Sequence, residues 1–322
     1  MDEELENLLD DLEKGITYDE IKESYQLNRS QARSTLNELK ENYNLQEKTI
    51  NDYGKKLFYL EKEPESIYNL EGAPKMSIVS DTHLGSTAEQ LENLEHAYDI
   101  IKDRDVDLIL HAGDISDGCD IYRGHPKHKK AEASGWWRLI DYVLENYPES
   151  EIPTHFIDGN HDRALFNKIG KHFGEELSKE RDDLIFLGDS YAELYLEDLD
   201  LDIQLVHPSG GVPYTLGYRG QTWLRDKPDE SKADLTIFGH LHKLLNAKTE
   251  GSEILYAGAF QGETDYLERK GIKPQSGFWI VEFEKNEGIS SFKTERIEFP
   301  MEETEKKIIS LDRVPGKDEE TD

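Results

Sequence analysis

Residues 76–85 read Met76-Ser77-Ile78-Val79-Ser80-Asp81-Thr82-His83-Leu84-Gly85, a short apolar run that ends on a carboxylate and an imidazole two residues apart. An apolar run of four to eight residues that stops at polar residues and a glycine is the pattern of a buried strand feeding a loop. The pattern recurs along the chain. Runs at 76–80, 108–111, 154–158, 201–206, 235–238, 254–257 and 278–283 read as strands, and residues 88–104 and 131–146 carry helical spacing. Short strands alternating with helices predict an α/β domain over residues 75–300.

Polar clusters stand at the ends of five of these runs: Asp81-Thr82-His83, Gly113-Asp114, Gly159-Asn160-His161-Asp162, His207 and Gly239-His240-Leu241-His242. An α/β domain builds its site at such strand ends. The Asp-x-His and His-x-His spacings predict two side chains on one side of an extended segment, hence two ligands from each. Glycines before Asp114, Asn160 and His240 predict tight turns. Cys119 is the single cysteine, which excludes an internal disulfide and a thiolate zinc site. Imidazole and oxygen donors without sulfur suit Mn²⁺, Fe or Zn²⁺. Any one cluster alone reads more readily as a turn or a structural histidine than as a site. Five in order, each after an apolar run, are not independent accidents.

Together these motifs resemble the calcineurin-like metallophosphoesterase superfamily, over roughly residues 75–300. The resemblance implies a four-layer α/β/β/α sandwich with two divalent metal ions at the strand ends, Mn²⁺ first and Fe or Zn²⁺ as alternatives. It implies Asp81, His83 and His242 at one metal and Asn160, His207 and His240 at the other, with Asp114 bridging. Two cations about 3.5–4 Å apart neutralise a phosphate and acidify a bridging water, so the implied reaction is phosphoester hydrolysis. His161 is implied to protonate the leaving oxygen or to stabilise charge in the transition state, oriented by Asp117. Asp117 reads equally as a turn residue.

The substrate is read from the surrounding loops. Protein Ser/Thr phosphatases carry Asp-Arg-Gly where this chain has Asp117-Gly118-Cys119, so the phosphate-clamping arginine of that class is absent there. Residues 80–85 resemble the first motif of double-strand-break repair nucleases. Gly113-Asp114, Asp117-Gly118 and Ile121-Tyr122 resemble the exonuclease subunit of archaeal family-D DNA polymerase. Residues 122–130 hold Arg123, His125, Lys127, His128, Lys129 and Lys130 without a carboxylate, and Trp136 and Trp137 follow. Residues 214–227 hold Tyr214, Tyr218, Arg219, Trp223, Arg225 and Lys227, and residues 260–275 add Tyr266, Arg269, Lys270 and Lys273. Basic groups interleaved with rings suit a nucleic-acid strand, with phosphates paired and bases stacked. On this reading Arg123, Lys127, Lys129, Lys130, Tyr218 and Arg219 contact substrate. Core tryptophans beside a solvated basic loop fit the same pattern. The expectation is a DNA nuclease or DNA-processing enzyme, with a phosphatase or small-molecule phosphodiesterase as the alternative.

Ahead of this domain, Leu5, Leu8, Leu9 and Leu12 give residues 1–13 one apolar helical face. Thr17 can cap a helix to about Tyr25, residues 26–28 turn, and residues 29–42 read as a second helix. Ile21, Leu27, Ala32, Leu36 and Leu39 form the shared seam. Residues 46–60 alternate around Asn51-Asp52-Tyr53-Gly54, a hairpin turn. The whole reads as a winged helix-turn-helix-like module over residues 1–60, with Arg29, Ser30 and Arg33 placed to touch DNA. Glu38 and Glu41 oppose that contact, and a helical hairpin docking a protein partner or a second copy fits the same pattern. Residues 61–74, with two prolines and Gly72, read as a linker, and residues 301–322 as an acidic, mobile tail.

Charge sets a constraint on every polyanion. The 322 residues hold 69 Asp and Glu against 38 Lys and Arg, a formal net charge of −31. That balance repels nucleic acid at long range and also reads as adaptation to salt, so DNA contact has to come from local basic stretches. A 36% hydrophobic content excludes wholesale disorder. No stretch approaches the ~18–20 apolar residues of a membrane span, and the start Met1-Asp2-Glu3-Glu4 is acidic where a signal peptide is basic, so a cytoplasmic protein is expected.

Overall fold

Thr17 starts the N-terminal module as its sequence predicts. It is the N-cap of α1 (Tyr18–Ser24), after the two-residue strand β1 (Ile16–Thr17). Its hydroxyl accepts from the Glu20 amide, and the Glu20 carboxylate accepts from the Thr17 amide at 2.8 Å, a reciprocal capping box. Asn28 and Gln31 repeat the device at the start of α2 (Arg29–Asn42), with side chain to amide bonds of 3.0 and 2.9 Å. β2 (Leu45–Thr49) and β3 (Lys56–Leu60) pair antiparallel in the register Thr49 to Lys56, and β3 also pairs β1. Ile21, Ala32, Leu36 and Leu39 bury against Leu45 and Phe58, and Leu8 and Leu12 join them. The first helical face therefore has its partner inside the module.

This computed structural model describes residues 7–9, 11–12, 15–42, 45–49, 56–60, 75–122, 125–196, 199–210, 215, 217–225, 232–249, 251–286 and 289–300. The expected hairpin turn at 51–54, the linker at 61–74, the tail at 301–322, and Leu5, Arg123, Tyr214 and Lys227 lie outside them, as do the side chains of Arg29 and Ser30.

The larger domain runs β4 (Lys75–Val79), α3 (Leu91–Asp103), β5 (Leu108–His111), α4 (Trp136–Asn146), β6 (Thr154–Asp158), α5 (Ala164–Ile169), α6 (Phe173–Glu180), β7 (Leu184–Asp189) and β8 (Tyr191–Leu196). It continues through β9 (Leu201–Val206), α7 (Gly217–Arg225), β10 (Leu235–Phe238), β11 (Leu244–Thr249), β12 (Ser252–Ala257), α8 (Asp265–Lys270), β13 (Gly277–Asn286) and β14 (Ile289–Glu298). The strands form a six-stranded sheet ordered β14-β13-β4-β5-β6-β7 and a five-stranded sheet ordered β11-β12-β10-β9-β8. Strand alternation assigns each side chain to a layer. Met76, Ile78, Leu108 and Leu110 meet Leu235, Ile237, Leu255 and Ala257 between the sheets. Val79 and Ile109, one residue out of step, face α3 and α4 with Leu94, Ala97, Leu139 and Val143. On the far side Phe238, Ile254 and Tyr256 receive Leu224 of α7. The layers are helix, sheet, sheet, helix, as the family resemblance implied.

The seven strands read from sequence are all present, four of them with the predicted limits. The four strands not read, β7, β8, β11 and β14, are the four edges of the two sheets. β7 does carry an apolar run, at 184–187, which sequence reading passed over, but an edge strand such as β8 lacks the continuous run that marks a strand buried on both faces. β8 shows this directly, since Ala192, Leu194 and Leu196 are buried while Glu193 and Tyr195 are exposed.

Candidate metal centre

Every polar cluster read from sequence lies just beyond the C-terminal end of a strand. Asp81 and His83 follow β4, Asp114 and Asp117 follow β5, and Asn160, His161 and Asp162 follow β6, three parallel neighbours in one sheet. His207 follows β9 and His240 and His242 follow β10, parallel neighbours in the other. Packing the two sheets face to face brings these loops together.

The chain does not stay extended there, and this corrects the expected geometry. Asp81, His83, Asp114, His240 and His242 have φ of 51°, 45°, 55°, 75° and 51°, the left-handed region that L-residues avoid. A left-handed residue on either side of Thr82 and of Leu241 is what turns each pair inward. Glycines act by absence of bulk as much as by turning. A Cβ on Gly113 would overlap the His207 ring, one on Gly159 the Asp114 carboxylate, and one on Gly239 the Ala112 carbonyl.

The side chains form two adjoining nests. In the first, His242 Nε2 lies 3.1 Å from His83 Nε2 and 3.3 Å from Asp81 Oδ1. In the second, Asp114, His207 and His240 converge. Asp114 Oδ2 belongs to both, 3.1 Å from His207 Nε2 and 3.6 Å from His83 Nε2. Among the described residues Asn160 Oδ1 is buried without a hydrogen-bond partner, and His207 Nε2 faces the Asp114 carboxylate at 3.1 Å. Buried polar atoms left unpaired are costly, and oxygen and nitrogen lone pairs beside carboxylates fit divalent cations.

Backbone contacts fix which ring nitrogens face the nests. His207 Nδ1 donates to the Ala112 carbonyl at 2.6 Å, which turns Nε2 toward the nest, where a metal ion would displace its proton. His240 Nε2 donates to the Gly210 carbonyl at 2.7 Å, which leaves Nδ1. His240 N donates to both Asp81 oxygens, at 3.1 and 2.9 Å, and ties the two sheets at the site.

The electrostatics are those of a site built for positive charge. Although burial opposes it, Asp81 sits well below the usual carboxylate range because His242, His83 and His207 surround it, and Asp114 is held low by His207, His161 and His83. The partner carboxylates outweigh burial at His83, raised to about 10, and at His207, raised to about 9. Burial instead wins at His161, which falls to about 4 and is neutral at pH 7.

His161 is oriented by a different atom from the one expected. Its Nδ1 donates to the main-chain carbonyl of Asp117 at 2.8 Å, while the Asp117 carboxylate is 3.7 Å away. That carboxylate accepts from His125 Nε2 at 2.8 Å and from Gln261 Nε2 at 3.3 Å, and faces His83 Nδ1 at 3.4 Å. Sequence reading gave His125 to the basic loop, but it is fully buried. It also gave no role to Asp162, on which four donors converge: the amides of Ile115, Ser116 and Gly159 and the Ser116 hydroxyl, at 2.7–3.0 Å. His111 joins the frame, its Nδ1 accepting from Gly113 N at 3.2 Å and its Nε2 lying 3.3 Å from the Thr82 hydroxyl. An aspartate at the end of a Gly-Asn-His-Asp turn was the available signal for Asp162. Nothing local marks His125, whose partner is eight residues away.

The residues expected to touch substrate divide. Lys130 is paired with Glu89 at 2.6 Å and with the Tyr142 hydroxyl, and Lys129 donates to the Gly118 carbonyl. Lys127 and Tyr218 are exposed, and Arg219 is half-buried. Trp223 is a packing residue, its ring edge-on to Phe238 and its Nε1 donating to Gln204. Trp136 packs on Phe173, whereas Trp137 is 58% exposed. The third stretch meets the first at the rim: the rings of Tyr122 and Tyr266 stack at 4.7 Å, with the Lys270 ammonium 5.7 Å from the Tyr266 centroid. Arg33 is exposed on α2.

Comparison with known proteins places this geometry in context. No curated protein matches the sequence. Among solved structures, an archaeal phosphodiesterase is 16% identical, covering 69% of this chain and 99% of its own, with a TM-score of 0.40. Vacuolar protein sorting 29 from Cryptosporidium parvum is 14% identical over 70% of this chain and 99% of its own, with a TM-score of 0.36. The hypothetical protein PH1004 from Pyrococcus horikoshii is 11% identical over 70% and 88%, with a TM-score of 0.38. The family model of the calcineurin-like phosphoesterase superfamily domain matches residues 75–285. That match spans well over half of the chain and takes in both nests, so the chain belongs to the calcineurin-like phosphoesterase superfamily.

Proposed function

We propose that this protein is a dinuclear metal-dependent phosphodiesterase that cleaves DNA. The observation that carries the reading is the position of Asp114 Oδ2, within 3.6 Å of an imidazole from each nest, where one carboxylate oxygen can serve two cations. Asp81, His83 and His242 would hold one ion and Asn160, His207 and His240 the other, with Asp114 shared. Bound there, two divalent ions, Mn²⁺ first, offset phosphate charge and supply an activated water.

The protein's own groups do the rest. His161 presents Nε2 toward the reacting phosphate because Nδ1 is committed to the Asp117 carbonyl. It is neutral in the free enzyme, and a bound phosphodiester anion raises its proton affinity, which suits it to deliver a proton to the leaving oxygen. Asp117, gripped by His125 and Gln261, fixes that carbonyl. Lys127 and Tyr218 are exposed for substrate, and the stacked Tyr122 and Tyr266 with Lys270 supply a ring and a cation of the kind that holds single strands. Arg33 on α2, with Arg29 and Ser30, would position the duplex.

The test is Mn²⁺-dependent cleavage of end-labelled single- and double-stranded DNA, beside bis-p-nitrophenyl phosphate, with Asp114→Asn as control. Cleavage of DNA that vanishes in the variant is expected. Turnover of the small ester alone would overturn the nuclease reading in favour of a phosphatase or small-molecule phosphodiesterase.

A further inference from the structure

Beside His242 stand two lysines, Lys243 and Lys273, whose charges no carboxylate offsets among the described residues. Lys243 follows His242 directly, half-buried, and its ammonium donates to the Lys273 carbonyl at 2.5 Å. Backbone bonds hold the two segments together at the site: Gln275 N donates to the His242 carbonyl at 2.9 Å, Gly258 N to the Lys243 carbonyl at 3.1 Å, and Phe260 N to the Asp81 carbonyl at 3.0 Å. Lys273 is exposed, and among the described residues neither lysine has a carboxylate within ion-pair distance. In a chain of net charge −31, with 69 carboxylate residues, two adjacent cations left without one define a local positive field. Lys130 is by contrast neutralised by Glu89.

We infer that Lys243 and Lys273 form a subsite for a phosphate group other than the one being cleaved. The inference rests on the phosphodiesterase reading of the neighbouring centre and specifies its substrate class as a polyanion with at least two phosphates. Compact ammonium groups bind phosphate oxygens as point charges, and here Lys243 follows His242 directly while the Lys273 main chain lies against the Lys243 ammonium. A monoester or an isolated diester reaches only the metals. A chain of phosphates reaches the lysines as well.

The experiment uses the full-length, Mn²⁺-loaded protein and inorganic tripolyphosphate as the probe, competing against bis-p-nitrophenyl phosphate at fixed free Mn²⁺. Lys243→Gln/Lys273→Gln should weaken tripolyphosphate inhibition by about tenfold or more relative to wild type, and Lys243→Arg/Lys273→Arg should restore it. Chelation of the metal acts on all proteins alike, so the difference between them is the readout. If DNA is cleaved, the salt slope of its binding should also fall by about 1–2 in the Gln pair. Weakened inhibition without any DNA cleavage would retain the subsite and reject the nuclease. Equal inhibition of wild type and both pairs, or an unchanged salt slope with active DNA cleavage, would overturn the subsite. The exposed Lys273→Gln alone repeats the comparison if the double variant fails to fold.

Discussion

Asp81, His83, Asp114, His240 and His242 all stand on left-handed backbone, a conformation that costs on the order of 1–2 kcal/mol at each non-glycine residue. The fold holds them there through bonds such as His83 N to the Asp114 carbonyl and Asp81 N to the Gly113 carbonyl, both 3.0 Å. Their identities were legible from sequence because chemistry selects His and Asp at close spacing. Their conformation was not, because x-spacing alone does not distinguish an extended pair from a left-handed one. Gly113 is the residue where space and backbone combine: its φ is 92° and a Cβ would overlap His207. Gly113→Ala should therefore cost about 2–5 kcal/mol and weaken metal binding, read as a lower melting temperature and a right-shifted Mn²⁺ titration. A melting temperature within a degree of wild type would contradict the packing described.

The raised histidines make a second prediction. In the metal-free protein His83 titrates near 10 and His207 near 9, against 6.5 for an unperturbed imidazole. Both bind protons more tightly folded than unfolded, so their contribution to stability is complete below about pH 6.5 and is lost as pH rises through 9 to 10. A metal ion has to displace those protons. The rise in melting temperature on adding Mn²⁺ should widen from pH 6 to pH 9, with affinity growing up to about tenfold per pH unit for each proton displaced. A gain independent of pH would contradict the protonated, carboxylate-paired state.

At the scale of elements, the site depends on loops that leave β4, β5, β6, β9 and β10 and are then tied to one another. Asp162 is the tie between the β5 and β6 loops, accepting from Ile115, Ser116 and Gly159. Removing it strands three buried amide donors, so Asp162→Ala should cost about 3 kcal/mol or more and reduce hydrolysis, though it touches neither nest. Melting and activity assays together check this, and full activity with unchanged stability would refute it. The interior strands were readable because each centres on apolar residues that are buried, as in Leu108-Ile109-Leu110 of β5 and Ile254-Leu255-Tyr256 of β12. Of the four edge strands, β8, β11 and β14 were hidden by the polar residues that interrupt them, whereas β7 carries a plain apolar run at 184–187 that sequence reading passed over. His125 was misread for a related reason: a histidine among lysines looks like surface, and only the tertiary fold brings it to Asp117.

For the whole molecule, net charge dominates. At −31 the folded chain repels itself, and surface ion pairs such as Arg104 with Glu295 at 2.8 Å offset only part of 69 acidic residues against 38 basic ones. Screening reduces that repulsion, so thermal stability should rise between 0.05 and 1 M NaCl while DNA binding weakens over the same range, the two measured by melting and by titration of labelled oligonucleotide. Composition announced this balance, but not where the charge is locally reversed. The reversal at Lys243 and Lys273 requires two segments thirty residues apart to lie side by side.

The central claim is that Asp114 serves two cations in one hydrolytic centre. Its most direct test is to strip the protein of metal and titrate Mn²⁺ back while following bis-p-nitrophenyl phosphate hydrolysis, in wild type and in Asp114→Asn. We expect no turnover in stripped protein, activity rising to saturation at two equivalents, and a loss of activity of at least about a hundredfold in the variant at any metal concentration. Turnover without metal, saturation at one equivalent, or wild-type rates in Asp114→Asn would contradict it.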